Sequence, residues 1–506
     1  MMSRRLALFL MVLVLVLGIG AGARDFFGDW VAATDLPPLE VPVGVEVLAR
    51  DGSLLRAFQV ADGRWRLDAG PVDPLFLDML TLWEDKRFRR HAGVDTRAML
   101  RAGGQALRHG RVVSGGSTLT MQVARLLEEG TTGEWGGKLR QMRLALALER
   151  RLDKAQIMAL YLRLAPYGAN VEGVRAASLQ WFGKEPRRLT PAEAALLVAL
   201  PQSPERRRPD RFPDAARAAR DRVLARAAAA GLLSQADASA AMTEPVPRMR
   251  RAFPALAPLL AARLVREHPG ATRIETTLDA RLQRRAEQLA SRAVRGAGRR
   301  LSAAIVLADH QSGEILAEVG AADWTDGASA GFVDMTRAWR SPGSTLKPFL
   351  YALAFETRTL TPASLIEDAP LTLDTGNGLY APQNYEAGYR GWVSARAALG
   401  GSLNVPAVRT LVRVGANPFH AALQKNGFSS LRLDGEWYGY SLALGSADIS
   451  LLTLANAYRT LANGGQWSPL KVVAGSKPRA PCATSACNGV FEGAPRRVAP
   501  PAAGRA

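Results

Sequence analysis

The chain has 506 residues, enough for two or three domains, and its 48% hydrophobic and 22% charged residues describe folded protein, not a disordered chain. A formal net charge of +19, carried mostly by arginine, suits an anionic membrane surface or a pyrophosphate-bearing substrate. The bases are scattered among acids with no aromatic-interleaved platform, which argues against a nucleic-acid module.

Residues 6–23 form an uncharged run behind Arg4 and Arg5, closed by Arg24 and Asp25. As a helix that run spans roughly 27 Å, just enough for a hydrocarbon core of about 30 Å. Arginines on the amino side favour a single-pass transmembrane anchor at 6–23, with a cytoplasmic tail at 1–5 and everything later exported. Ala21-Gly22-Ala23 has the form of a cleavage site, so a signal peptide is the rival reading. The Pro- and Val-rich stretch 24–51 reads as an extended juxtamembrane linker.

Asp73 and Pro74 have the chemistry of a helix start, and Phe76, Met79, Leu80 and Trp83 recur at helical spacing behind them. Glu84 then ends a buried stripe. A carboxylate beside apolar walls loses solvation, so its pKa moves towards the range of a general base. A solvated charged turn is the bland alternative for the cluster 84–95. Some thirty residues on, Gly115-Gly116-Ser117-Thr118 precede an expected helix whose positive end, with the hydroxyls, suits an anion. Capping-box spacing recurs at Asp153 to Gln156 and at Thr190 to Glu193, so the domain at 52–234 reads as compact and mainly helical.

Residues 235–300 read as an Ala- and Arg-rich interdomain linker. Ala303 to Ala308 and Ile315 to Val319, joined by a turn at Ser312-Gly313, then bring in strands and a second domain. Ser344 and Lys347 fall one turn apart if a helix starts near Ser344, so a neutral lysine can take the serine proton. Residues 442–461 read as helix, and the Pro-, Ala- and Arg-rich tail at 491–506 as disordered. Cys482 and Cys487 leave both a local disulfide and two free thiols open, and their spacing is no metal motif.

The motifs at Glu84-Asp85-x-x-Phe88-x-x-His91-x-Gly93 and at Gly115 to Gln122 resemble those of the peptidoglycan glycosyltransferase domain of class A penicillin-binding proteins. The resemblance continues through Ile157 to Leu162, Ala165 to Gly168, Trp181 to Lys184 and Leu200 to Pro204. It implies a lysozyme-like fold that polymerises lipid II onto a growing glycan strand and releases undecaprenyl diphosphate. Glu84 maps onto the catalytic base. Asp85, Phe88, His91, Gly93, Gly116, Ser117, Thr118, Gln122, Arg125, Lys138 and Gln141 map onto substrate-binding positions. Arg125 stands where the family usually has lysine, and Gln141 where many relatives have a glutamate; the penicillin-binding protein 1C subgroup also tolerates glutamine there. No metal ligands are assigned, and a divalent cation, magnesium or manganese, is left open. Glu149 is the nearest spare carboxylate and reads as a surface ion-pair partner.

Ser344-x-x-Lys347 with Ser402-Leu403-Asn404 resembles the first two motifs of penicillin-binding transpeptidases. That likeness implies an α+β serine transpeptidase-like domain at 301–490. In it Ser344 is acylated by a D-Ala-D-Ala stem peptide or a β-lactam, and Ser402 and Asn404 relay protons and position the substrate. The third motif, Lys-Thr/Ser-Gly, is absent after Asn404, and relatives continue further. The expectation is therefore a partial, impaired domain, C-terminally truncated. Membrane phospholipids, penicillin and cell-wall synthesis proteins are the implied partners, and the inner membrane, with the domains on its periplasmic side, is the implied location. A non-catalytic cell-wall scaffold and a penicillin-sensing or β-lactam-hydrolysing serine acylase are the rival functions.

Overall fold

The computed structural model describes residues 4–101, 116–128, 135–298, 300–375, 378–475 and 496–497. The chain divides into two compact units, Met1–Val45 with Ala57–Phe253, and Glu46–Arg56 with Pro254–Ala506.

In the first unit, the helix Arg4–Ala32 runs past the expected end at Ala23 and takes in Arg24, Asp25 and Asp29. Residues 24–32, expected as linker, are therefore helical. Among the described residues no helix is long and apolar enough to cross a membrane; the side chains of residues 4–10 and 12 lie outside them. The carboxyl end of this helix is held by the helix Trp135–Arg151. Arg143 donates to the Trp30 carbonyl at 3.0 Å and the Ala33 carbonyl at 3.2 Å, and Arg150 to the Gly28 carbonyl at 2.8 Å. The Arg143 guanidinium also lies 4.7 Å over the Trp30 ring. Cations thus meet the negative end of the helix.

Pro74–Glu84 begins as its sequence dictates: Asp73 accepts from the Leu75 amide at 2.9 Å, and Phe76, Met79 and Leu80 are buried. The other Asp73 oxygen takes the Leu189 amide at 2.9 Å, tying this helix to the start of Pro191–Ala199. Beyond Glu193 in its first turn that second helix is apolar all round, with Ala194 to Ala199 buried, and forms the middle of the core. Both expected capping boxes form, at Asp153 with Gln156 and at Thr190 with Glu193.

In the second unit, Glu46–Leu48 pairs in parallel with Arg273–Glu275. Residues 46–48 and 273–275, each within an expected linker, are therefore strand. Much of 235–300 is helix: Gln235–Thr243 lies in the first unit, Pro258–Glu267 and Ala280–Ala297 in the second. The Ala280–Ala297 helix packs on the antiparallel pair Ile305–Ala308 and Ile315–Val319, whose turn has Gly313 at φ +75°. Lys347–Glu356, Asn404–Val414 and Ala416–Lys425 surround a core of Leu350, Val408, Leu411, Phe419 and Phe428. The helix expected over 442–461 is divided into Tyr440–Leu444 and Leu451–Ala462. Gly445 is the reason: it sits at φ +80°, where a Cβ would meet the Gly343 carbonyl at 2.2 Å. Cys482, Cys487 and the tail expected to be disordered fall outside the described residues, save 496–497.

Candidate active sites

Glu84 is the last residue of its helix and is half-buried. Gln122 donates to one carboxylate oxygen at 2.7 Å and Gln202 to the other at 2.9 Å. Burial pushes its pKa up, opposed by the two amide donors and by the positive charges of Arg207 and Arg226. Arg125 stands one turn beyond Gln122 on the helix Leu119–Leu127. Tyr161 is buried with its hydroxyl unpartnered among the described residues, and feels the charges of both Glu84 and Arg125. Ser117 accepts from Lys138 at 2.6 Å, and Lys138 lies one turn before the buried Gln141 on Trp135–Arg151.

The remaining members of the two motifs are bonded mainly to one another. The Asp85 carboxylate takes the His91 ring nitrogen at 2.9 Å and the Leu119 amide at 3.0 Å. Thr118 caps the same helix at the Met121 amide, 3.1 Å away, and donates to the Gly93 carbonyl at 2.5 Å. The expectation that this helix end presents its dipole to a substrate anion is thus corrected: a carboxylate of the protein already sits there. The cationic chemistry lies to the side, at Lys138, bonded to Ser117, and at Arg125. Phe88 is buried under the Lys154 ammonium, 4.5 Å from its ring centroid. Lys154 also pairs with Glu149 at 2.5 Å, and Glu149 accepts from Thr120 at 2.6 Å. Glu149 is accordingly an ion-pair partner, but a buried one, its side chain 7% exposed. Gly93 has φ +92° and lies so close to Trp135–Arg151 that a Cβ would meet the Ala145 carbonyl oxygen at 2.6 Å. Gly116 backs onto Met99. Among the described residues no three His, Cys, Asp or Glu side chains gather where they could hold a metal ion. Gln141 adds no carboxylate at its position.

Gln202 belongs to the stretch 200–204 but was not among the expected site residues, and Arg207 and Arg226 were not either. The signal for Gln202 was its place in a matching motif; nothing in the spacing marks the two arginines.

In the second unit Gly343–Leu346 forms a single 3₁₀ turn and the α-helix starts at Lys347, with Pro348 tolerated in its first turn. Ser344 is exposed, and its carbonyl accepts from the Lys347 amide. Lys347 is buried, 1% exposed, and donates to the Ser402 carbonyl at 2.6 Å, the Ser402 hydroxyl at 3.2 Å and the Asn404 side-chain oxygen at 2.7 Å. Burial lowers its pKa to about 8. Ser402 is held at φ +51°, in the left-handed region. Asn384, unforeseen from the sequence, accepts from the Asn404 amide at 2.9 Å and donates to the buried Asp368 at 2.8 Å. Ser344, Lys347, Ser402 and Asn404 are thus gathered around one lysine ammonium and the turn before it.

A transglycosylase family model matches residues 51–228, and a penicillin-binding protein transpeptidase domain model matches 303–485. Penicillin-binding protein 1C of Escherichia coli K12 is 42% identical over 86% of this chain. The chain belongs to the class A penicillin-binding proteins. A second relative in that family, penicillin-binding protein 2D of Bacillus subtilis 168, is 30% identical over 85% of this chain. The chain spans 56% of the length of the first relative and 64% of the second. A crystal structure of penicillin-binding protein 1A from Haemophilus influenzae matches with a TM-score of 0.44 at 18% identity, over 87% of this chain and 70% of that one.

Proposed function

We propose that the domain expected at 52–234 polymerises lipid II, with Glu84 as general base. The observation that carries this reading is a half-buried carboxylate of raised pKa, at a helix end, held by two amide donors near cationic side chains. In the proposed step the acceptor sugar's 4-hydroxyl gives its proton to Glu84 as its oxygen bonds to the anomeric carbon of the growing strand. The bond from that carbon to undecaprenyl diphosphate breaks. Lys138, Ser117 and Arg125 take up the charge that develops on the diphosphate. An alcohol is a poor nucleophile, and a positioned base contributes on the order of a hundred- to ten-thousand-fold.

The membrane reading belongs with this substrate. Leu13 to Leu17 and Ile19 of the helix Arg4–Ala32 are exposed, as suits a lipid-facing anchor that keeps both domains on the periplasmic side of the inner membrane. In the second domain Ser344 is the proposed nucleophile and Lys347 its base, with stem peptides and β-lactams as substrates. These 506 residues carry no Lys-Thr/Ser-Gly after Asn404, so that activity is proposed to be weak.

The test is polymerisation of labelled lipid II by the full chain in detergent or vesicles. Glu84→Gln is expected to lose on the order of a hundred- to ten-thousand-fold in rate. Equal rates in the two proteins, or no polymer from either, would leave the scaffold reading in its place.

A further inference from the structure

We propose that Gln202, pinned by Arg207, is a positioning residue that keeps the Glu84 carboxylate in its acceptor form and in one orientation. The inference rests on the polymerase reading for its consequence in catalysis, though not for its geometry.

An amide side chain can present either its oxygen or its nitrogen, and its partners decide which. Arg207 has only donors. It gives one hydrogen bond to the Gln202 side-chain oxygen at 3.1 Å, while the same nitrogen bonds the Ala199 carbonyl at 2.6 Å. With its oxygen so engaged, Gln202 turns its NH₂ towards Glu84, 2.9 Å away. A protonated Glu84 that turned its own O–H to Gln202 would need the amide to flip and abandon Arg207. The arrangement therefore favours the carboxylate. Gln122 makes the matching bond to the second oxygen, so the plane of the carboxylate is fixed at both corners.

The groups around Glu84 act in the same direction. Arg207 and Arg226 lower its pKa by their charge, with the two amide donors, against the desolvation that raises it. Tyr161, from Lys154–Leu164, faces it as a buried neutral phenol, and Arg125 stands on the helix that supplies Gln122. Asp85, adjacent in sequence, is turned away to His91 and the Leu119 amide. Arg207 is itself half-buried and less basic for it, an arrangement that favours giving its protons to a fixed acceptor. Gln202 is exposed, so water compensates part of its loss.

The experiment compares wild type, Gln202→Leu, Arg207→Met and the double variant in lipid II polymerisation across pH. Without the Gln202 donor the acid limb of the rate profile moves to higher pH, and the rate at neutral pH falls by about tenfold while that at alkaline pH is largely kept. Arg207→Met moves the limb the same way, and does so less in the Gln202→Leu background than in wild type. Infrared titration of the Glu84 carboxyl, assigned by its disappearance in Glu84→Gln, follows the same shift without requiring turnover. A uniform fall in rate with an unmoved acid limb and an unmoved carboxyl titration would overturn the proposal, as would strict additivity of the two substitutions. An inactive wild type would refute the polymerase reading alone, because the carboxyl titration still reports on Gln202.

Discussion

Gly93→Ala tests how closely the first motif is pressed onto the helix behind it. Two effects combine at this position. An alanine held at φ +92° carries roughly 1–2 kcal/mol of left-handed backbone strain. Its Cβ would also stand 2.6 Å from the Ala145 oxygen and 2.8 Å from the Ala145 carbonyl carbon, both backbone atoms that no rotamer can move aside. Relief requires the turn and the helix Trp135–Arg151 to part by several tenths of an ångström, an overpacking term of about 1–3 kcal/mol. Together these come to roughly 2–5 kcal/mol, or thirtyfold to a few thousandfold in a local opening equilibrium. Amide hydrogen exchange in the intact chain reads this directly, through peptides covering Trp135–Arg151. Gly231→Ala is the control: its φ is +77°, but nothing lies within 4 Å of the added carbon. It is expected to cost about 1 kcal/mol near its own helix end and to leave the Ala145 region unchanged. Exchange within threefold of wild type in Gly93→Ala would refute the close-contact argument. Equal effects of the two alanines at Ala145 would do the same.

Lys347 has a pKa lowered by burial to about 8, so between about pH 8 and its unfolded value of 10.5 the unfolded chain binds more protons than the folded one. Stability of the second unit should therefore rise with pH across that window relative to Lys347→Met, as followed by urea midpoints; a difference that stays flat with pH contradicts the burial argument. Labelled penicillin is expected to modify Ser344 poorly in a chain of these residues, and stoichiometric labelling lost in Ser344→Ala would overturn that expectation.

Local chemistry was legible in the sequence. Asp73 with Pro74, the two capping boxes and the apolar spacing of Phe76, Met79 and Leu80 each act within a few residues, and each forms as written. Glu84 at the end of that stripe was legible for the same reason. Contacts across the chain were not. The Asp85 bond to the Leu119 amide joins residues 34 apart and removes a helix end that looked available for anions. Gln202 lies 118 residues from Glu84, and Asn384 reaches Asn404 from the far side of a loop. Nor did composition show that 46–48 is a strand, because its partner at 273–275 sits in a stretch that reads as linker. Hydrophobic spacing states which face is buried, but not what it is buried against.

The junction at Gly28, Trp30 and Ala33 bears on how the protein is handled. Removing the first helix is a simple truncation. Yet Arg143 and Arg150 would then exchange backbone partners for water, on the same helix that presents Lys138. A shortened protein can keep its fold and still lack a brace on the helix that presents Lys138. Any gap in turnover between the two lengths is a measurement of that brace.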